Sequence, residues 1–199
     1  MEVDGRPIAL QPKRYVIVNK PRGPISTVVD HRGRRTVLDL LPAGEERLYP
    51  AGRLDADTEG LLLITNDGEL TYRLTHPRYG VAKVYEAEIK GSVSRDDVRR
   101  LEQGMMLAEG QTGPTGVRML REGRDTSLVE ITVHAGRKRM VRRMFDAVGH
   151  PVIALRRIRI GPLALGDLEP GQWRELTDEE VAGLAAAIAN ETAPRGGAE

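Results

Sequence analysis

The sequence predicts an α+β fold built on one largely antiparallel sheet. Three observations carry that expectation. Strand and helix signals are interleaved without a strict βαβ repeat, strand runs are joined by short turns such as Glu122-Gly123-Arg124-Asp125, and Lys83 to Lys90 alternates residue by residue. With 199 residues, 40% of them hydrophobic and 30% charged, the chain can bury a core in one domain or in two tightly joined subdomains.

Each element follows from local chemistry. Residues 1–12 read as an N-terminal tail, in which Val3 to Ile8 (VDGRPI) resembles the closing strand and turn of a larger preceding unit. Tyr15-Val16-Ile17-Val18 is a β-rich run stopped by the turn signal Lys20-Pro21-Arg22-Gly23. Thr36 to Leu41 suits a short helix ended by Pro42. Leu61 to Thr65 is an apolar run of strand length between Gly60 and the turn Asn66-Asp67-Gly68, and Glu69 to Thr75 reads as a helix that stops before Pro77. In the strand Lys83–Lys90, Val84, Glu86 and Glu88 face away from Tyr85, Ala87 and Ile89. Ser94 caps a helix with Asp97 three residues on, and Gly104 lies near its end. Two hairpin strands follow over 115–120 and 126–134. A helix from Arg139 to Ala147 buries Met140, Val141, Met144, Phe145 and Val148 and leaves Arg139, Arg142 and Arg143 marginal or exposed. Residues 151–160 are strand-like, Thr177 and Glu180 form a capping box for a last helix, and ETAPRGGAE reads as a frayed tail. The division expected is therefore 1–12, a main unit over 13–177, and a helix with tail over 178–199.

Composition excludes several classes. No apolar run approaches the roughly 18 to 20 residues that span a bilayer, and the first residues lack a basic-then-apolar leader. The absence of cysteine removes disulfides, thiolate metal sites and a cysteine nucleophile; a cytoplasmic enzyme fits best. His31, His76, His134 and His150 fall at no metal-ligand spacing, and Walker, GxGxxG and GxSxG patterns are missing. The formal net charge of +1 conceals a cluster. Arg137, Lys138, Arg139, Arg142, Arg143, Arg156, Arg157 and Arg159 stand against Asp146 alone between 137 and 159. Of the 30 basic residues 25 are arginine, whose planar fork suits phosphate and stacks on bases.

The most informative stretch is Gly52 to Gly68, GRLDADTEGLLLITNDG, which sets Arg53 and Asp55 two apart in a loop before a buried strand. A cleft carboxylate needs that support and a nearby cation to stay ionised. Asp55, Asp57, Glu59 and Gly60 imitate the first positions of a calcium loop, but position twelve is Asn66 rather than a bidentate Glu. Taken whole, the stretch resembles the signature of the ribosomal RNA pseudouridine synthases of the RsuA/RluB type. The resemblance extends in order to Asn19-Lys20-Pro21-Arg22-Gly23, to Thr36 through Pro42, to Lys83-Val84-Tyr85, to Gly136 through Met144, and to Arg156–Gly161 with Gly171–Leu176, so it covers about residues 12–177. Two departures stand out: the small α-L-type RNA-binding module that commonly precedes the catalytic domain is absent from this sequence, and Met140 replaces an often polar residue.

The resemblance implies a two-lobed catalytic domain with an RNA-binding cleft across a mainly antiparallel sheet. It implies Asp55 as the essential aspartate, Arg142 as its ion-pair partner and Tyr85 as the ring that packs against the flipped base. Arg53, Lys20, Arg137, Lys138, Arg139 and Arg143 are expected to bind RNA, with Lys20 equally suited to holding the active-site loop. The chemistry itself asks for these groups. Isomerising uridine breaks a C–N glycosidic bond, rotates the base outside the RNA stack and rejoins it through carbon, which calls for a carboxylate and a planar wall but no metal, redox or nucleotide cofactor. The implied partner is ribosomal RNA, 23S ahead of 16S, or a pre-ribosomal particle, engaged by a monomer away from any membrane. Two rivals differ in class. A non-catalytic RNA-binding or ribosome-assembly protein on the same fold would not need Asp55, Tyr85 and Arg142 together, and a two-carboxylate glycosidase would need a second acid, for which Asp57 is poorly placed.

Overall fold

A computed structural model describes residues 2–3, 6–7, 11–42, 44, 47–108 and 110–191. Its main sheet contains seven principal strands: β1 (Tyr15–Lys20), β2 (Glu59–Thr65), β3 (Lys83–Lys90), β4 (Gly116–Arg121), β5 (Thr126–Val133), β6 (Val152–Ile160) and β7 (Trp173–Glu175). Their spatial order is β7-β1-β2-β6-β3-β5-β4, with short strands Tyr49–Pro50 and Leu163–Ala164 added beside β2 and β6. Every pairing is antiparallel except β2 with β6, which run parallel in the middle of the sheet. Four helices complete the α+β architecture: α1 (Gly68–Thr75), α2 (Arg95–Gln103), α3 (Met140–Ala147) and α4 (Asp178–Glu191).

The central position of β2 explains its composition. Leu62 and Ile64 enter one core with Val16, Tyr85, Ile131, Met144 and Phe145, while Leu61 and Leu63 enter a second core with Leu70, Leu74, Leu184 and Ile188. A strand covered on both faces has no use for alternation and reads as a continuous apolar run. On β3 only one face is covered. Lys83, Tyr85, Ala87 and Ile89 are buried and the residues between them are half-exposed, which is the alternation visible in the sequence.

The caps behave as the sequence predicts. The Ser94 hydroxyl accepts the Asp97 amide at 3.1 Å, and Thr177 and Glu180 exchange bonds of 3.0 and 3.2 Å at the start of α4. The helix expected at Thr36–Leu41 is a 3-10 turn over Val37–Leu40. Strand β7 and the two-residue strands Tyr49–Pro50 and Leu163–Ala164 went unforeseen because segments of two or three residues show no period. Of the expected N-terminal tail, residues 2–3 and 6–7 pair as a small antiparallel ribbon, and the tail over 192–199 lies outside the described residues. Among the described residues no helix is long and apolar enough to cross a membrane.

Where β2 meets β6, Gly60 pairs with Arg157. Gly60 has φ +108, and a Cβ there would lie 2.2 Å from the Arg157 carbonyl oxygen. Glycine is required twice, by the dihedral and by the close approach of the two backbones. Gly60→Ala is therefore expected to destabilise the fold by about 3 kcal/mol or more, combining backbone strain with an unrelieved clash. Urea unfolding measures it, and a loss below about 1 kcal/mol, the scale of an ordinary strand glycine, would mean that the strands do not approach this closely.

Candidate active site

The loop between Pro50 and β2 carries Asp55, and the sequence around it builds a rigid mount. The Ser26 hydroxyl donates to the Leu54 carbonyl at 2.9 Å and accepts the Leu54 amide at 3.1 Å. The Gly23 amide reaches the Ala56 carbonyl at 2.8 Å, and the Thr58 amide closes a turn onto the Asp55 carbonyl at 3.0 Å. Beneath the loop, the Lys20 ammonium donates to the carbonyls of Pro21 at 3.0 Å, Thr58 at 2.9 Å and Ala56 at 3.5 Å. Lys20 is fully buried at 0% exposure, so it cannot meet a phosphate in this arrangement and the expectation of direct RNA contact is corrected. Its work is to satisfy loop carbonyls that would otherwise be buried without partners. Burial pushes its pKa down to about 8, against the opposing pull of Asp57, Glu59 and Asp55.

Asp55 lies in the wall of a pocket of about 130 Å³, enough for one planar ring and far too small for a duplex. Tyr85, Leu155 and Arg157 from β3 and β6 line the same pocket, as do Met140 and Val141 of α3, Val133 at the end of β5, Lys83, and the rim cations Arg53, Arg137 and Lys138. Tyr85 sits in register opposite Ile131 and Arg157, so the sheet fixes its ring against the pocket. Asp55 and Tyr85, thirty positions apart in the chain, thus face one cavity.

Arg142 is placed differently from expectation. Rather than lying at an exposed margin it is 7% exposed, because the Asp55 loop folds over that side of α3. Its guanidinium donates to the Asp57 carbonyl at 3.0 Å and the Val152 carbonyl at 3.1 Å, and its ion pair, at 3.3 Å, is with the Asp57 carboxylate. No ion pair joins Arg142 to Asp55, although Asp55 is among the charges that favour the protonated Arg142 against the effect of its burial. Asp57 also takes Arg139 through both oxygens, at 3.1 and 3.0 Å. Burial pushes the Asp57 carboxyl up, but the two guanidiniums outweigh it and hold it below the usual carboxylate range. Asp57 is therefore locked as a counter-ion, which disposes of it as a glycosidase acid. Arg139 is the one described non-glycine residue with positive φ, +51, a strained entry to α3 that the Asp57 contact holds in place.

The basic cluster divides in two. Arg53, Arg137 and Lys138 are exposed at the pocket mouth, where Arg137 also donates to the Gly110 carbonyl at 2.9 Å. Arg139 is bound to Asp57, and Arg143 donates to the Lys138 carbonyl at 2.8 Å, tying down the loop before α3. Sequence reasoning missed Ser26, Lys83, Asp57 and Arg157. Lys83, Asp57 and Arg157 carried a signal, since all three lie inside motifs already noted, whereas Ser26 carried none.

A pocket for one ring, walled by a carboxylate on a fixed loop and a tyrosine on a strand and edged with cations, is what the uridine-isomerising reading requires. Residues 14–147 match the family described as RNA pseudouridylate synthase. The chain belongs to that family. It is 47% identical over 197 residues to an RNA pseudouridine synthase of Aquifex aeolicus, covering 98% of this chain and 79% of the relative. It is 44% identical over 188 residues to the ribosomal large subunit pseudouridine synthase B of Bacillus subtilis, covering 94% and 77%. A crystal structure of a pseudouridylate synthase superposes with a TM-score of 0.80 at 31% identity, over 88% of this chain and 75% of that one. The pseudouridine synthase is thus an isomerase acting on RNA, with the α+β fold expected of it.

The buried lysine yields a test. Lys20→Met leaves three loop carbonyls without their donor and should cost about 2 kcal/mol or more of stability. The wild-type lysine titrates near 8 when folded and near its ordinary 10.5 when unfolded, so its contribution to stability is lost as pH falls through 8 and rises from pH 8 to 10.5. The gap in melting temperature between wild type and Lys20→Met should therefore widen across that window. A gap that is flat with pH would mean that Lys20 is solvated.

Proposed function

We propose that this synthase isomerises a specific uridine of ribosomal RNA, in the 23S RNA of the large subunit before the 16S RNA, with Asp55 as the attacking carboxylate. The observation that carries the reading is the shared pocket of Asp55 and Tyr85, with Asp55 paired to none of the described cations while its neighbour Asp57 holds two. The free carboxylate can approach a ribose carbon; the locked one cannot. The preference for 23S RNA rests on the Bacillus subtilis relative named for the large subunit and on the VVDHRGRRTVLDLLP stretch.

In this reading the target uridine leaves its stack and enters the pocket, and Asp55 attacks as the C–N bond breaks. Tyr85 packs against the detached uracil while it turns to present C5, and helps remove the C5 proton after the new bond forms. Arg142 serves Asp55 through its field and through the loop it anchors rather than by a direct pair. Arg53, Arg137 and Lys138 hold the RNA backbone at the mouth, and Arg139 and Arg143 contribute by shaping that mouth. Residues 13–177 constitute the catalytic unit, working as a monomer on rRNA or a pre-ribosomal particle in the cytoplasm.

Asp55→Asn keeps the side-chain shape and loses the charge. It should preserve folding and RNA affinity while abolishing product in single-turnover assays on transcribed 23S and 16S RNA. Turnover at a tenth of wild type would refute the assignment. A salt titration tests the division of the cations. Replacing Arg53, Arg137 and Lys138 together by Gln should make the slope of log affinity against log salt shallower by about 2 to 3, since each neutralised phosphate adds roughly 0.7 to 0.9. Arg139→Gln or Arg143→Gln should change it by less than about 1 on the same scale. Equal effects from all five would contradict the placement described above.

A further inference from the structure

One buried cation in the pocket wall has no task in that reaction. Arg157 is 3% exposed. Its Nε donates to the Leu61 carbonyl at 2.8 Å, and its Nη1 to the Tyr85 hydroxyl at 3.4 Å, a long bond. The guanidinium carbon stands 5.9 Å from the centroid of the Tyr85 ring. Nη2 is buried with no partner, and none of the described ion pairs gives Arg157 a carboxylate. An ionised guanidinium buried without a counter-ion is costly, and a residue needed only for packing would be served better by an apolar side chain. Its placement is nonetheless enforced: the Gly60 approach pins its backbone, and the β3–β6 register sets it opposite Tyr85.

We propose that Arg157 is the positioning residue for Tyr85. This rests on the reading that Tyr85 faces the detached uracil. A guanidinium only donates, so in contact with it the tyrosine oxygen must accept and send its own proton elsewhere. Val133 and Leu155 in the same wall offer no side-chain acceptor, whereas the pocket itself is lined by the Asp55 carboxylate and the Thr58 and Thr75 hydroxyls, so the proton is directed into the pocket. A uracil that enters there adds its carbonyl oxygens as acceptors for that proton. Arg157 thereby fixes the angle of the ring and presents its hydroxyl to the base, giving the detached uracil a handle while it turns. It touches Tyr85 rather than substrate.

The test is a double-mutant cycle on the single-turnover rate, using transcribed 23S or 16S RNA in which the wild-type enzyme's uridine has been mapped, with RNA affinity from filter binding and melting curves as controls. Arg157→Met is expected to lower the rate by about 10- to 100-fold, the scale on which a misplaced active-site group acts, with affinity unchanged within twofold. In the Tyr85→Phe background, where the hydroxyl is absent, the same change should cost less than threefold. Arg157→Lys, which restores a donor and the charge, should recover part of the rate. If Arg157→Met does not fold, the cycle is run with Arg157→Lys. A cost that persists in full in Tyr85→Phe, or that lies wholly in RNA affinity, overturns the inference. Failure of the underlying reading looks different: wild type would then form no pseudouridine on either RNA, or Asp55→Asn would remain active.

Discussion

The structure depends on one close approach, the parallel contact of β2 and β6 at Gly60 and Arg157. On one side of this seam lie β7, β1 and β2, of which β1 and β2 are covered on both faces; on the other lie β6, β3, β5 and β4, covered chiefly on the face that holds Tyr85. Asp55 sits just before β2 and Tyr85 stands on the strand beyond β6, so the width of the seam sets the width of the pocket. A side chain at residue 60 would push the halves apart and take the proposed nucleophile away from the ring it must serve. Stability and chemistry meet at a single hydrogen atom.

Much of this was legible in the sequence, and the reasons are local. Lys83 to Lys90 matched its strand to the residue because one face is covered and one is not, which is the condition under which alternation reports structure. The five apolar residues expected to be buried along this segment are buried for the same reason, Met140, Val141, Met144 and Phe145 within α3 and Val148 at its C-cap. The resemblance located Asp55 and Tyr85, which the structure brings to one pocket. What pattern could not show was which cations are spent. Lys20, Arg139 and Arg142 look in sequence like surface charges near a nucleic-acid site. Their partners are three carbonyls, one carboxylate, and backbone groups distant in sequence, and nothing in local periodicity reports such contacts.

The same limit applies to net charge. Counting the residues between 137 and 159 gives a strongly basic segment, yet in the structure some of these cations reach the pocket mouth, among them Arg137 with a bond to the Gly110 carbonyl, while Arg139, Arg143 and Arg157 are neutralised or bonded within the fold. Electrostatic attraction for RNA arises from the first group, with the second contributing rigidity. Arginine suits both tasks, since its fork can satisfy several carbonyls at once where a lysine would be a single point of charge.

The two aspartates of the loop show how such a division favours chemistry. Asp55 and Asp57 are two residues apart on the same loop and could each attract the nearby guanidiniums. The loop gives both guanidiniums to Asp57, whose carboxyl they hold below the usual carboxylate range against the effect of its burial. Asp55 is left at the pocket wall within the field of Arg142 but bonded to no cation. A carboxylate clamped by two arginines is a poor nucleophile, because attack must break charge-assisted bonds that are already made. Assigning the clamp to one residue and the pocket position to its neighbour lets the loop stay rigid without tying down the group proposed to react. The spacing Asp-x-Asp, which in isolation suggested a cation-binding loop, is better understood as this separation of roles.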